Sequence, residues 1–270
     1  MKFYEVLISN LKLLSEDVIE ITLKIPDGEK LEFKAGQFII LEVSSNPKTM
    51  RAYSVLDYNE ETNELKVAIK KVENGQATTI IFNSFKVGQK VSISSPTGNK
   101  LIVDKNDNSL LLVATGIGIT PILCILNDLI KGNYKGEIEL LYGARTLNEL
   151  YYKDEIADIA RTNSNVKFTP VLSREVVAEI ETGYVTDVVK NINLEGKTIY
   201  MCSSNTVAKS FKETLESLKF DLNKFNITGG IPLPQWALAH RWGMDSPFLM
   251  LYRIYWEHIY RIISNLSAII

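Results

Sequence analysis

At 270 residues, with 46% hydrophobic and 23% charged side chains, the chain is long enough for two globular domains, each with its own core. A net charge of −2 excludes a nucleic-acid binder that works through bulk electrostatics. Two cysteines, Cys124 and Cys202, are too few for an iron–sulfur cluster or a four-ligand zinc site, so no metal is expected and a reducing, cytoplasmic compartment is.

The N-terminal run "MKFYEVLISNLKLLSEDVIEITLKIP" alternates with period two and has no long apolar core, which predicts strands and no signal peptide. Nothing in residues 1–228 is long and apolar enough to span a bilayer. "KFYEVLIS", "DVIEITLKIP", "GQFIILEVS", "MRAYSV", "NELKVAIKKV" and "QKVSISSP" are β-branched or aromatic runs bounded by turn residues. Six such strands at close spacing predict a small antiparallel barrel. After Gly98 the rhythm changes: "SLLLVATG" is a continuous apolar run, the mark of a strand buried on both faces, and "TPILCILNDLIKG" follows as a helix. Then come "EIELLYGA" (strand), "TLNELYYKDEIADIAR" (helix), "NVKFTPVLS" (strand), "YVTDVVKNI" (short helix), "KTIYMCSS" (strand) and "TVAKSFKETLESLKF" (helix). This alternation predicts a doubly wound parallel α/β domain over 99–228, joined to a barrel over 1–98 near residues 98–108.

Three stretches offer chemistry. In "MRAYSV" Arg51 and Tyr53 are two apart and share a strand face, with the Ser54 hydroxyl next door. "NGQATT" sets Gly75 before Thr78, as either a phosphate-binding helix start or a capped turn. "TGIGITP" follows the first parallel strand and opens a helix, where backbone N–H groups and the helix dipole favour an anion. Gly116 and Gly118 are then candidates to cradle a pyrophosphate; the alternative is an ordinary strand-to-helix turn.

Taken together, residues 1 to about 221 resemble the ferredoxin–NADP reductase superfamily, an N-terminal flavin-binding Greek-key barrel followed by a pyridine-nucleotide domain. "RAYS" is similar to its Arg-x-Tyr-Ser/Thr flavin motif, and "GQAT" to a Gly-x-x-Ser/Thr phosphate motif. "SPTG" is similar to the loop ending the barrel, "GIGITP" to its Gly-x-Gly-x-x-Pro nucleotide motif and "LYGAR" to the strand after it. The resemblance implies that Tyr53 stacks on the FAD isoalloxazine, Arg51 pairs with the pyrophosphate and Ser54 donates near flavin N5, with Gly75 and Thr78 completing the phosphate site. It implies that Gly116, Gly118, Thr120 and Pro121 line the pyrophosphate and nicotinamide approach, with Cys202 close to where the nicotinamide reacts. Ser173 and Arg174 of "LSRE", helped by Arg145, would favour NADPH over NADH by holding a 2′-phosphate. The implied activity is hydride transfer from NAD(P)H to FAD, then electron transfer to ferredoxin, flavodoxin, an oxygenase component or a partner subunit. Lys86, Lys90, Lys100 and Lys105 are candidates for docking an acidic carrier; the alternative is a solvated surface.

Two departures stand out. Where many relatives have Cys-Gly-Pro, this chain has "MCSSN", with Ser203 and Ser204 after Cys202. Residues 229–270 also leave the rhythm: all 23 Lys precede them, while all three Trp and both His lie within them. "SPFLMLYRIYWEHIYRIISNLSAII" sets Arg253, Glu257 and Arg261 four apart on an otherwise apolar helix. An anchor to a membrane surface or partner groove, a helix packed on its own protein, and a foreign or out-of-frame segment all stay open for this tail. The second reading of the whole chain is a non-catalytic binding or scaffold subunit of an electron-transfer complex.

Overall fold

In the computed structural model, which describes residues 1–229, the alternating segments close into a six-stranded antiparallel barrel. Its strands are β1 (Phe3–Ser15), β2 (Val18–Lys24), β3 (Phe38–Ser45), β4 (Lys48–Asn59), β5 (Glu64–Lys70) and β6 (Lys90–Ser94). The neighbour order β1-β2-β5-β4-β3-β6, closed by β1 against β6, is a Greek key and leaves no free sheet edge. Period two explains the packing: every second side chain, among them Ile21, Leu23, Ile39, Leu41, Val55 and Val67, points into a shared core. Helix α1 (Gln76–Ser84) interrupts the run between β5 and β6 and packs on β3 and β4.

The second half is a parallel sheet wrapped by helices: β7 (Ser109–Thr115), α2 (Ile119–Lys131), β8 (Glu137–Ala144), α3 (Lys153–Thr162), β9 (Val166–Leu172), β10 (Glu181–Thr182), α4 (Val185–Val188), β11 (Thr198–Ser203), α5 (Asn205–Ser217) and β12 (Phe225–Gly229). Leu110 to Ala114 of β7 are all buried because both faces are covered. Leu110, Leu112 and Ala114 meet α2, while Leu111 and Val113 meet α5 through Phe211 and Leu215. Strand order is β10-β9-β8-β7-β11-β12, so the chain winds outward from β7 and then returns to its other side. The reversal between β7 and β11 opens a crevice at their C-terminal ends, where doubly wound sheets bind ligands.

The sequence pattern differs from the structure in two places. Two parallel strands escape it: β10 is two residues long, and β12 ("FNITG") is short and polar. The helix expected from residue 146 is broken into a 3₁₀ turn at Leu147–Glu149 and α3 from Lys153, with Tyr152 left-handed at φ 60°. Tyr151 and Tyr152 are drawn to the barrel: Tyr152 Oη donates to Glu20 Oε2 at 2.8 Å, and Tyr151 Oη lies 3.5 Å from Ser15 Oγ. Tertiary contacts override helix propensity there. Barrel and sheet belong to one unit, Met1–Gly230; Val18 of β2 and Leu56 of β4 pack into the same cluster as α2. Among the described residues no helix is long and apolar enough to cross a membrane. The expected tail helix with Arg253, Glu257 and Arg261, and its membrane contact, lie outside the described residues.

Candidate functional site

Strand β4 sets out one half of the site. It pairs Arg51 with Leu41 and Tyr53 with Ile39, so both side chains stand on one face. Arg51 is half-buried; its Nη1 donates to Met50 O at 2.8 Å, and its other N–H groups have no partner among the described residues. The Tyr53 ring is half-buried against the barrel core. Burial pushes its phenol up to about 12, with the Arg51 cation pulling the other way. Ser54 falls on the opposite face of the strand, the one on which Leu56 meets the α2 cluster. Its pairing partner Phe38 exchanges backbone hydrogen bonds with Thr97, which brings the "SPTG" loop alongside. Gly98 there has φ +103°, and a Cβ on it would stand 2.9 Å from the Phe38 ring.

Helix α1 begins beside this strand. Gly75 is the N-cap, and a Cβ on it would meet Thr78 Oγ1 at 2.8 Å and Val72 Cβ at 2.9 Å. The Thr78 hydroxyl is buried inside the loop, accepting from the Val72 N–H at 3.1 Å and donating to Val72 O or Gly75 O. Thr78 therefore shapes the loop, and what the segment offers outward is the first-turn N–H groups of α1, which have no intrahelical partner.

The crevice at the sheet separates the two glycines of "GIGITP". Gly116 takes φ +53°, with nothing within 4 Å of where a Cβ would be: it faces open space. Gly118 is buried, and a Cβ on it would lie 2.3 Å from Cys202 O, so it is the glycine that lets the turn pack on β11. Thr120 is buried and donates to Ile117 O at 2.8 Å, fixing the turn; Pro121 is buried in the first turn of α2. Cys202, next to last in β11, lies against this turn, and burial pushes its thiol up to about 12. Ser204 caps α5 by accepting from the Val207 N–H at 3.4 Å. The departure from Cys-Gly-Pro thus has a structural reason, and a serine ahead of a helix is its sequence signal.

Farther along the same edge, the Ser173 N–H donates to Ala144 O at 3.0 Å and the Arg174 N–H to Arg145 O at 2.9 Å. These bonds hold the ends of β8 and β9 together. They set two exposed guanidinium groups, Arg145 and Arg174, on adjacent loops with no side-chain partner among the described residues. Glu175 turns inward and accepts from the Leu147 N–H at 2.6 Å. Of the four lysines considered for docking, Lys90 and Lys105 are paired with Glu5 and Asp128 at 2.6 and 2.9 Å. Sequence reasoning missed the seam residues Asp17, Glu20, Lys70, Tyr142 and Glu149. They come from three separate stretches, 17–20, 70 and 142–149, so no local pattern announces them.

These groups fit a flavin dinucleotide on the barrel and a pyridine dinucleotide on the sheet. Arg51 has free donors for phosphate, Tyr53 an aromatic face, α1 unspent N–H groups, and Gly116 an open side where backbone can approach a ligand. Comparison with known proteins agrees. A family model described as an oxidoreductase FAD-binding domain matches residues 5–101, and one described as an oxidoreductase NAD-binding domain matches residues 112–213. The propane 2-monooxygenase reductase component of Mycolicibacterium smegmatis is 26% identical over 196 residues, 70% of this chain and 56% of that protein. The phenol hydroxylase P5 protein of Acinetobacter pittii is 27% identical over 219 residues, 78% of this chain and 61% of that protein. The chain thus spans little more than half the length of these relatives. A crystal structure of a ferredoxin NADP+ reductase from Neisseria gonorrhoeae with bound FAD and NADP shares the fold. Its TM-score is 0.76 at 22% identity, covering 86% of this chain and all of that one.

Proposed function

Because the chain belongs to the ferredoxin–NADP reductase superfamily, we propose that it is a flavoprotein reductase, taking hydride from NAD(P)H onto FAD and passing electrons to a protein acceptor. The flavin module is placed at residues 1–98 and the nucleotide module at 99–228. When bound, FAD would supply the redox chemistry, accepting hydride and releasing electrons to the acceptor. The observation that supports this reading is the packing of β4 against α2 through Leu56, on the strand face that also carries Ser54, together with the open side of Gly116 at the start of that helix.

In this reading the chain supplies binding, orientation and exclusion of water. Arg51 and the α1 N–H groups hold the FAD diphosphate, Tyr53 supplies a stacking face and the Ser54 hydroxyl a donor towards flavin N5. Gly116 admits the nucleotide pyrophosphate, while Gly118, Thr120 and Pro121 keep its turn rigid against Cys202. Arg145, Ser173 and Arg174 favour NADPH, because two adjacent unpaired guanidinium groups suit a 2′-phosphate better than a neutral ribose. The acceptor is ferredoxin, flavodoxin or an oxygenase component, in keeping with relatives named as oxygenase reductase components. A cytoplasmic location suits the unpaired thiols of Cys124 and Cys202. Since Ser204 earns its place as a helix cap, the departure at 203–204 does not favour a non-catalytic scaffold.

The test is the visible spectrum of the purified protein, recorded anaerobically before and after addition of NADPH, with NADH as control. Flavin bands that bleach on addition are the expected result. Flavin bands that respond to neither nucleotide would support the scaffold instead, and a protein that takes up no added FAD would overturn the assignment of Arg51 and Tyr53.

A further inference from the structure

Residues 142–152 tie the nucleotide crevice to the barrel, and Glu149 is their junction. Its Oε1 lies 3.3 Å from Lys70 Nζ, at the end of barrel strand β5, and its Oε2 accepts from the Arg145 N–H at 3.3 Å. Its main-chain oxygen lies 3.2 Å from the Tyr142 hydroxyl, which is also 3.1 Å from Gly116 O. Glu149 is therefore bonded to the barrel and to the Arg145 loop, and its main-chain oxygen shares with Gly116 O the single hydroxyl proton of fully buried Tyr142. Lys70 is fixed from behind by Asp17, at 3.2 Å.

We propose that Glu149 is a positioning residue: held by Lys70, it sets where the Gly116 turn and the Arg145 loop stand relative to β4, and so how closely the nicotinamide and flavin rings approach. This rests on the reductase reading above.

The pair is partly exposed, with side-chain exposures of 29% and 24%, and pairs of that kind contribute little to stability. Its worth lies in geometry, since the rate of transfer between two held groups is steep in their separation. The seam does not depend on it to stay closed: the Tyr152–Glu20 hydrogen bond and the packing of Leu56 under α2 act separately.

Two readouts on the FAD-loaded protein test the proposal. In Glu149→Gln and in Lys70→Met, amide hydrogen exchange at residues 116–118 and 145–149 is expected to rise about fivefold or more, while the barrel core is unchanged. Limiting flavin reduction at saturating NADPH is expected to fall about tenfold, with FAD content and nucleotide affinity within about twofold of the unaltered protein. The double variant K70M/E149Q is expected to be no slower than either single one, and the charge swap K70E/E149K to regain part of the rate. Asp17→Asn, which leaves the Lys70–Glu149 pair in place, is expected to change both readouts less. Unchanged exchange in the single variants, or losses that add in the double one, would overturn the proposal. Should the unaltered protein fail to bleach, the reductase reading falls, and the exchange measurement still decides whether Glu149 positions the loops.

Discussion

In the proposed reading, strand β4 offers the cofactors its side chains, whereas the turn after β7 offers bare backbone. The difference follows from how each strand is buried. β4 belongs to a barrel, so its residues alternate between faces: Arg51 and Tyr53 are half-buried on the face they share with Leu41 and Ile39, Ser54 lies on the other, and in the proposed reading all three serve the flavin. β7 has helices on both faces and its central side chains are all buried, so nothing on the strand itself can reach a ligand. In the proposed reading function moves to its end, where Gly116 takes a positive φ in open space and Gly118 makes a close approach to β11 that a side chain would obstruct. A substitution on β4 should therefore change what is bound, whereas one in the turn should change the fold first.

The widest gap between the two regions should appear at Arg51. Arg51→Ala removes a charge-assisted fork worth about 1.5–3 kcal/mol, which lowers FAD affinity about 10- to 100-fold. The melting temperature of the FAD-free protein should scarcely move, since Arg51 bonds only its neighbour's carbonyl. Fluorescence titration with FAD and thermal unfolding of the apoprotein check the two halves of the claim; a large loss of apoprotein stability would break the contrast. The turn should behave in reverse. Gly118→Ala forces a Cβ to within 2.3 Å of Cys202 O and costs about 1–3 kcal/mol of stability. Gly116→Ala meets open space and costs only about 1 kcal/mol, for its φ of +53°. Equal losses at the two glycines, measured by denaturant unfolding, would mean that close packing on β11 is not what Gly118 provides.

The same contrast decides how much was legible in the sequence. Strands and motifs with a fixed local period, such as "MRAYSV" and "SLLLVATG", announce themselves because burial imposes the period. Thr78 looked like a ligand group and is spent inside its own loop, since a hydroxyl at a helix start can turn either way. Gly116 and Gly118 look alike in sequence and differ only in what stands beside them. The break at Tyr152 and the Lys70–Glu149 pair were invisible, because each is decided by a residue on the other domain more than 70 positions away. β12 was missed because its alternation, with Phe225 and Ile227 packed on the core and Asn226 and Thr228 between and after them, runs for only four residues.

Arg174 extends the comparison to the loop after β9, where an exposed side chain serves the nucleotide in the proposed reading. Arg174→Ala should lower kcat/KM for NADPH about tenfold and leave NADH nearly unchanged, removing one cation from a doubly cationic site. A matched fall for both nucleotides would place Arg174 on a group they share, such as the pyrophosphate.

Cys202 gives the smallest expected effect. If the sheet side of the crevice works by backbone and packing, the Cys202 sulfur should do no acid–base or nucleophilic work. Burial holds the thiol near about 12, so it stays protonated at pH 7–9. A step that needed the thiolate would accelerate about tenfold per pH unit over that range, because its population does. Tyr53 also keeps its proton there, its phenol being raised to about 12. The limiting rate of flavin reduction should therefore be flat from pH 7 to 9, and Cys202→Ala should change it by less than about threefold, through a small packing loss beside Gly118. A log-linear rise with pH that disappears in Cys202→Ala would instead put chemistry on the sheet side and end the division between side-chain and backbone halves.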